Sequence, residues 1–73
     1  MAKKGESGVY RVTELVGTSS SSWEDAAKNA VQTAAGTIRD LRVAEITKLD
    51  MRLEEGKVVQ YRARVSLSFK YEG

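Results

Sequence analysis

The chain contains neither cysteine nor histidine. Without cysteine, disulfides and thiolate metal sites are excluded. Without histidine, the commonest general base and the commonest transition-metal ligand are missing. An excess of one charge is absent too: 12 Lys and Arg stand against 10 Asp and Glu, for a formal net charge of +2. A nucleic-acid binder of this size carries a basic stripe. The only local basic run here is Lys3 and Lys4, in a glycine-bearing stretch that reads as a solvated tail. No stretch approaches the ~18–20 apolar residues of a membrane span, and no apolar signal core follows the lysines. Neither nucleic acid nor membrane is expected as a partner, and the default setting is the cytoplasm.

At 73 residues the chain is one small domain. Below roughly 70–80 residues a single core seldom supplies more than about 3–5 kcal/mol. Self-association, or a hard cation held by oxygen ligands, remains as extra support.

Residues 1–8 read as a flexible leader, and 9–73 as the folded domain. A strand is expected over 9–16, with Tyr10, Val12 and Val16 on one side and Arg11 and Thr13 on the other, stopped by Gly17. The hydroxyl-rich run from Thr18 to Ser22 reads as a helix cap. Ser21 with Glu24 makes a capping box, and Ser22 with Asp25 offers a second register. Trp23, Ala26, Ala27, Ala30, Val31, Ala34 and Ile38 then fall on one helical stripe, ending near Asp40.

A second strand over 41–53 changes pattern halfway. Ala44 and Ile46 share one parity, while Leu49, Met51 and Leu53 share the other. Either a bulge shifts the register or the far half is covered on its second face. Glu54, Glu55, Gly56 and Lys57 form a hairpin turn. Over 58–71 the alternation is regular, with Val59, Tyr61, Ala63, Val65, Leu67, Phe69 and Tyr71 on one parity. Such a strand spans roughly 45 Å, whereas a helix of about 17 residues covers only about 25 Å. The uncovered apolar length, including Leu49, Met51, Leu53, Val58 and Val59, must be buried by further copies of the chain.

The run Tyr10-Arg11-Val12-Thr13-Glu14-Leu15-Val16-Gly17-Thr18-Ser19 resembles the opening of the dodecins. The alanine-rich helix, the long hairpin and the closing Ser68-Phe69-Lys70-Tyr71-Glu72 match in the same order. The resemblance covers roughly residues 9–72. It implies an α+β fold, a β-α-β-β subunit whose three-stranded antiparallel sheet wraps one helix with the third strand central, assembled into a hollow homododecamer. It also implies non-enzymatic storage of a small ligand, flavin in most members. Flavin binders carry a tryptophan where the second strand begins; the matching run here is Val43-Ala44-Glu45-Ile46. On the third strand they carry a glutamine, and the matching residue is Arg62. Valine offers no π face and arginine no acceptor, and Trp23 sits on the core side of the helix. Val43 and Arg62 therefore mark a flavin position that is not expected to bind flavin. The chain looks closer to the calcium dodecins that lack these residues.

Calcium takes six to eight oxygens, and Glu45, Asp50 and Glu14 are the candidate metal ligands. A cross-strand ion pair between Glu45 and Arg62 or Arg64 is the simpler account of Glu45. Arg62 and Arg64 also share one face; a solvated polar surface explains them more simply than an anion site. Glu54 and Glu55 read as solvated turn residues. The serine run lacks both a histidine and a Gly-x-Ser-x-Gly motif, so no enzyme is expected. Calcium is the favoured ligand; flavin storage and a structural cage without a ligand are the alternatives.

Overall fold

Regular alternation over Lys57–Lys70 builds the strand that becomes the middle of the sheet. The computed structural model describes residues 8–70. The expected leader, apart from Gly8, lies outside the described residues, as do Tyr71 and Glu72. The elements follow the expected order: β1 (Tyr10–Ser19), α1 (Trp23–Ala35), β2 (Leu41–Glu54) and β3 (Lys57–Lys70). The sheet is antiparallel in the order β1-β3-β2. β2 and β3 are joined through Glu55 and Gly56, with φ of 53° and 78°. Two consecutive positive φ values suit the twist of a tight hairpin.

β1 departs from expectation. Gly17 does not stop the strand, which continues to Ser19. A Cβ on Gly17 would overlap the carbonyl oxygen of Ala26 and stand 2.9 Å from Ala30 Cβ. The glycine is there because the helix backbone lies directly against it. The parity facing α1 is therefore Thr13, Leu15, Gly17 and Ser19, and the apolar set Tyr10, Val12 and Val16 is exposed on the other side.

The helix starts in the second of the two capping registers. Ser22 is the N-cap, and its Oγ accepts from the Asp25 N–H at 3.0 Å. The Asp25 carboxylate accepts from the Ser19 hydroxyl at 2.8 Å, and Ser19 Oγ accepts from the Ser21 N–H at 2.9 Å. These bonds tie the end of β1 to the first helical turn. The helix ends at Ala35, well before Asp40, where Gly36 N–H turns back to the Thr33 carbonyl at 3.2 Å.

The change of pattern in β2 is a bulge. Ile46 pairs with Val65 and Lys48 with Arg64, leaving Thr47 as the extra residue. Its hydroxyl donates to the Arg64 carbonyl at 3.2 Å. The extra residue inverts parity, so Ala44, Ile46, Leu49 and Met51 all stand opposite the helix-side residues Leu67, Val65, Ala63 and Tyr61.

Ala26, Ala27, Ala30 and Ala34 pack on Ala63, Val65 and Leu67, with Leu15, Val31, Ile38 and Leu41 around them. Among the described residues only Val65 and Leu67 are large and fully buried. Each such side chain contributes about 1.5–3 kcal/mol, so the core of one subunit is thin. The helix lies over β1 and β3 and barely reaches β2. The subunit extends 57 Å in one direction against 20 and 17 Å in the others. Along the hairpin Ile46, Leu49, Met51, Leu53, Val58 and Val59 stay 36–57% exposed. The covering shortfall read from the sequence is larger in the structure, because the helix is shorter than expected.

Candidate functional site

Chemistry-bearing side chains gather on the sheet face turned away from α1. The register stacks them in rows across β1, β3 and β2: Val12, Ser68, Val43; Glu14, Ser66, Glu45; Val16, Arg64, Lys48; Thr18, Arg62, Asp50. Glu45 and Asp50 lie an odd number of positions apart, so a regular strand would turn them to opposite faces. The Thr47 bulge places both on this one.

Arg62 takes Asp50 in a fork: Nε donates to Oδ1 at 2.7 Å and Nη2 to Oδ2 at 3.2 Å. Those hydrogen bonds, with the positive charges of Arg62 and Arg64, hold the Asp50 carboxyl below its ordinary value, against a smaller opposing effect of desolvation. The Asp50 hydrogen bond likewise raises Arg62. Arg64 Nη1 stands 3.9 Å from Glu14 Oε1. The pairing expected for Glu45 is thus corrected. Arg62 goes to Asp50 and Arg64 to Glu14, and Glu45 has no ion-pair partner among the described residues. Its cross-strand neighbour is Ser66, and the arginines belong to the next rows.

Glu14 and Glu45 flank Ser66 at two strand spacings, roughly 10 Å. Among the described residues of one chain no three or more Asp or Glu side chains converge as a metal site would need. A calcium ion needs six to eight oxygens, so the residues present fit one only if further copies supply the rest. Glu45, Ser66 and Glu14 are the donors a single subunit could offer. Asp50 is already occupied by Arg62.

Val43 is 55% exposed and sits opposite Ser68, while Arg62 lies farther along β3. Six residues of strand separate their rows, roughly 20 Å. One small ligand touches both only by bridging two subunits. Trp23 is on the other side of the sheet: its ring meets Tyr61 edge-on at 5.2 Å, and its Nε1–H donates to the Asp50 carbonyl at 3.0 Å. Sequence reading missed Ser66 and the common face of Glu45 and Asp50. The mid-strand change of pattern was the signal for the latter. No helix among the described residues is long and apolar enough to cross a membrane.

A short helix too narrow for its sheet, with polar rows on the open face, defines a small α+β subunit whose apolar hairpin surface is left uncovered. The dodecin family model matches residues 9–72, and a curated calcium dodecin from Mycobacterium tuberculosis is 42% identical over 62 residues, 85% of this chain and 87% of that one. The chain belongs to the dodecin family, and with it to non-enzymatic binding proteins that form homo-oligomers. Its fold is similar to that of dodecin from Streptomyces coelicolor, with TM-score 0.85 and 37% identity, covering 92% of this chain and 96% of that one. It is also similar to a solved calcium dodecin of M. tuberculosis, described as calcium-chelating and as having a novel calcium-binding site. That match has TM-score 0.79 and 41% identity, covering 88% and 91%.

Proposed function

We propose that the chain assembles into a hollow homododecamer that sequesters calcium at sites completed between subunits, in the cytoplasm. The observation that carries the reading is Glu45, a carboxylate without an ion-pair partner among the described residues, in one row with Ser66 and Glu14 on the open face. Calcium is a hard cation that prefers such oxygen donors. The similarity to proteins named calcium dodecin adds independent support. Symmetric copies of the row, brought together around a shared axis, supply the oxygens that one subunit lacks.

Flavin is disfavoured because we read Val43 as standing where flavin binders of the family place a stacking tryptophan. A valine at that position offers no ring to stack on.

Calcium titration of the assembled protein tests the reading. Ligand that binds only the folded state stabilises it by about 2.7 kcal/mol at a hundred times its Kd. Melting temperature should rise with added calcium and fall back with a chelator, and Glu45→Gln should abolish the shift. An unshifted wild-type melt would leave a structural cage without a ligand.

A further inference from the structure

We infer that Arg64 is a built-in competitor for the cation, neutralising Glu14 in the empty state and withdrawing when a divalent ion arrives. The inference rests on the cation-binding function proposed above and concerns how that site is tuned.

Three carboxylates in or near the acidic row, Asp50, Glu45 and Glu14, stand in three different states. Asp50 is locked by two hydrogen bonds from Arg62, the shorter of 2.7 Å. Glu45 has no ion-pair partner among the described residues. Glu14 lies between these extremes. Arg64 Nη1 approaches its Oε1 only to 3.9 Å, and the two side chains are 45% and 55% exposed. That separation is beyond hydrogen-bond range. It is an electrostatic contact in water, and exposed contacts of this kind are weak and exchangeable.

Arginine has donors but no acceptor, so Arg64 cannot itself be a ligand to the ion. Its row lies next to Glu14, Ser66 and Glu45, and Lys48 stands across from it in the same row. A divalent ion entering the acidic row meets a positive charge one row away, roughly 7 Å along the strand. Against a doubly charged ion in a water-like medium, that repulsion corresponds to a change of about five- to tenfold in affinity. Arg64 therefore holds the affinity below what the oxygens alone would give. Arg62 cannot do the same, because Asp50 already holds it.

The test is isothermal calcium titration at low salt, with native mass spectrometry confirming that each variant assembles. Arg64→Gln should bind calcium about five- to tenfold more tightly than wild type, and Arg64→Lys, which keeps the charge, should bind like wild type. Arg64→Met, which also removes the charge, gives the readout if Arg64→Gln does not assemble. Unchanged or weaker binding in the charge-removing variant that assembles overturns the competitor role. If wild type binds and Glu45→Gln does not, the cation-binding function survives that loss. If neither wild type nor any variant binds calcium, both fall. Binding that appears only when Arg64 is neutralised would sink calcium binding by the wild-type chain, and the competitor role that rests on it.

Discussion

Arg62 closes on Asp50 with two hydrogen bonds across neighbouring strands, and this pair is the most firmly fastened charge contact on the open face. It exists only because the Thr47 bulge turns Asp50 to the side where Arg62 already points.

The pair makes stability depend on acid. A carboxyl whose folded pKa is depressed contributes stability above its unfolded value and loses it as pH falls through the folded value. The Asp50 carboxyl lies below its ordinary 3.8, first because of the Arg62 hydrogen bond. Melting temperature should therefore drop as pH is lowered from roughly 5, the top of the ordinary carboxyl titration, through the depressed value. Asp50→Asn should melt lower at neutral pH and fall less steeply in acid. Parallel curves for the two proteins would remove this pair as the cause.

Gly17 sets how near the helix comes to the sheet. An added methyl there meets the Ala26 carbonyl and Ala30 Cβ, neither of which can move without shifting the helix. Gly17→Ala should cost about 2–3 kcal/mol, at the upper end for overpacking. Gly56 offers a control, since it has open space around it but a φ of +78°. Gly56→Ala should cost about 1–2 kcal/mol, the strain of a left-handed alanine alone. Urea midpoints at one fixed subunit concentration compare the two; equal losses would refute the close-approach argument.

The exposed helix-side residues of the hairpin carry the case for self-association. Leu49 and Met51 are 51% and 44% exposed on one subunit. A lysine at either position would place a charge in the buried contact between copies, a cost of several kcal/mol unless it is paired. Leu49→Lys and Met51→Lys should shift the native mass spectrum to small species at concentrations where wild type is fully assembled. A full-size assembly in both variants would mean that this face is not the contact.

The helix and the long third strand were legible in the sequence, because each rests on a long run with one period; the central place of that strand came from the family resemblance. The inward parity of β1 was not. Its contact points are Gly17 and Ser19, small residues that look like turn formers, while its valines face out. The charge pairing was misread: the arginines pair across strands, but with Asp50 and Glu14 and not with Glu45. A single extra residue at Thr47 inverts the parity of everything after it, so the partner of Arg62 depends on a bulge whose position the pattern brackets without fixing. That Glu45 has no ion-pair partner among the described residues follows from that same detail.

The remaining prediction concerns the ligand that this chain is read as having lost. Val43 is exposed on the open face, so a larger side chain there meets no packing obstacle within the subunit. Val43→Trp would supply a stacking face, and Arg62→Gln an acceptor in place of a pure donor. The two positions lie roughly 20 Å apart along the sheet of one subunit, so both contribute to one flavin only when it bridges two copies. Wild type should leave riboflavin fluorescence largely unquenched at micromolar protein, and Val43→Trp should quench it. Adding Arg62→Gln should tighten binding by about fivefold, the equivalent of one ordinary hydrogen bond of about 1 kcal/mol. In subunits kept apart by Met51→Lys, Arg62→Gln should bring no such gain, because the second contact belongs to a neighbour. Strong quenching by wild type would show that flavin needs no ring at position 43, and the case against flavin would fall.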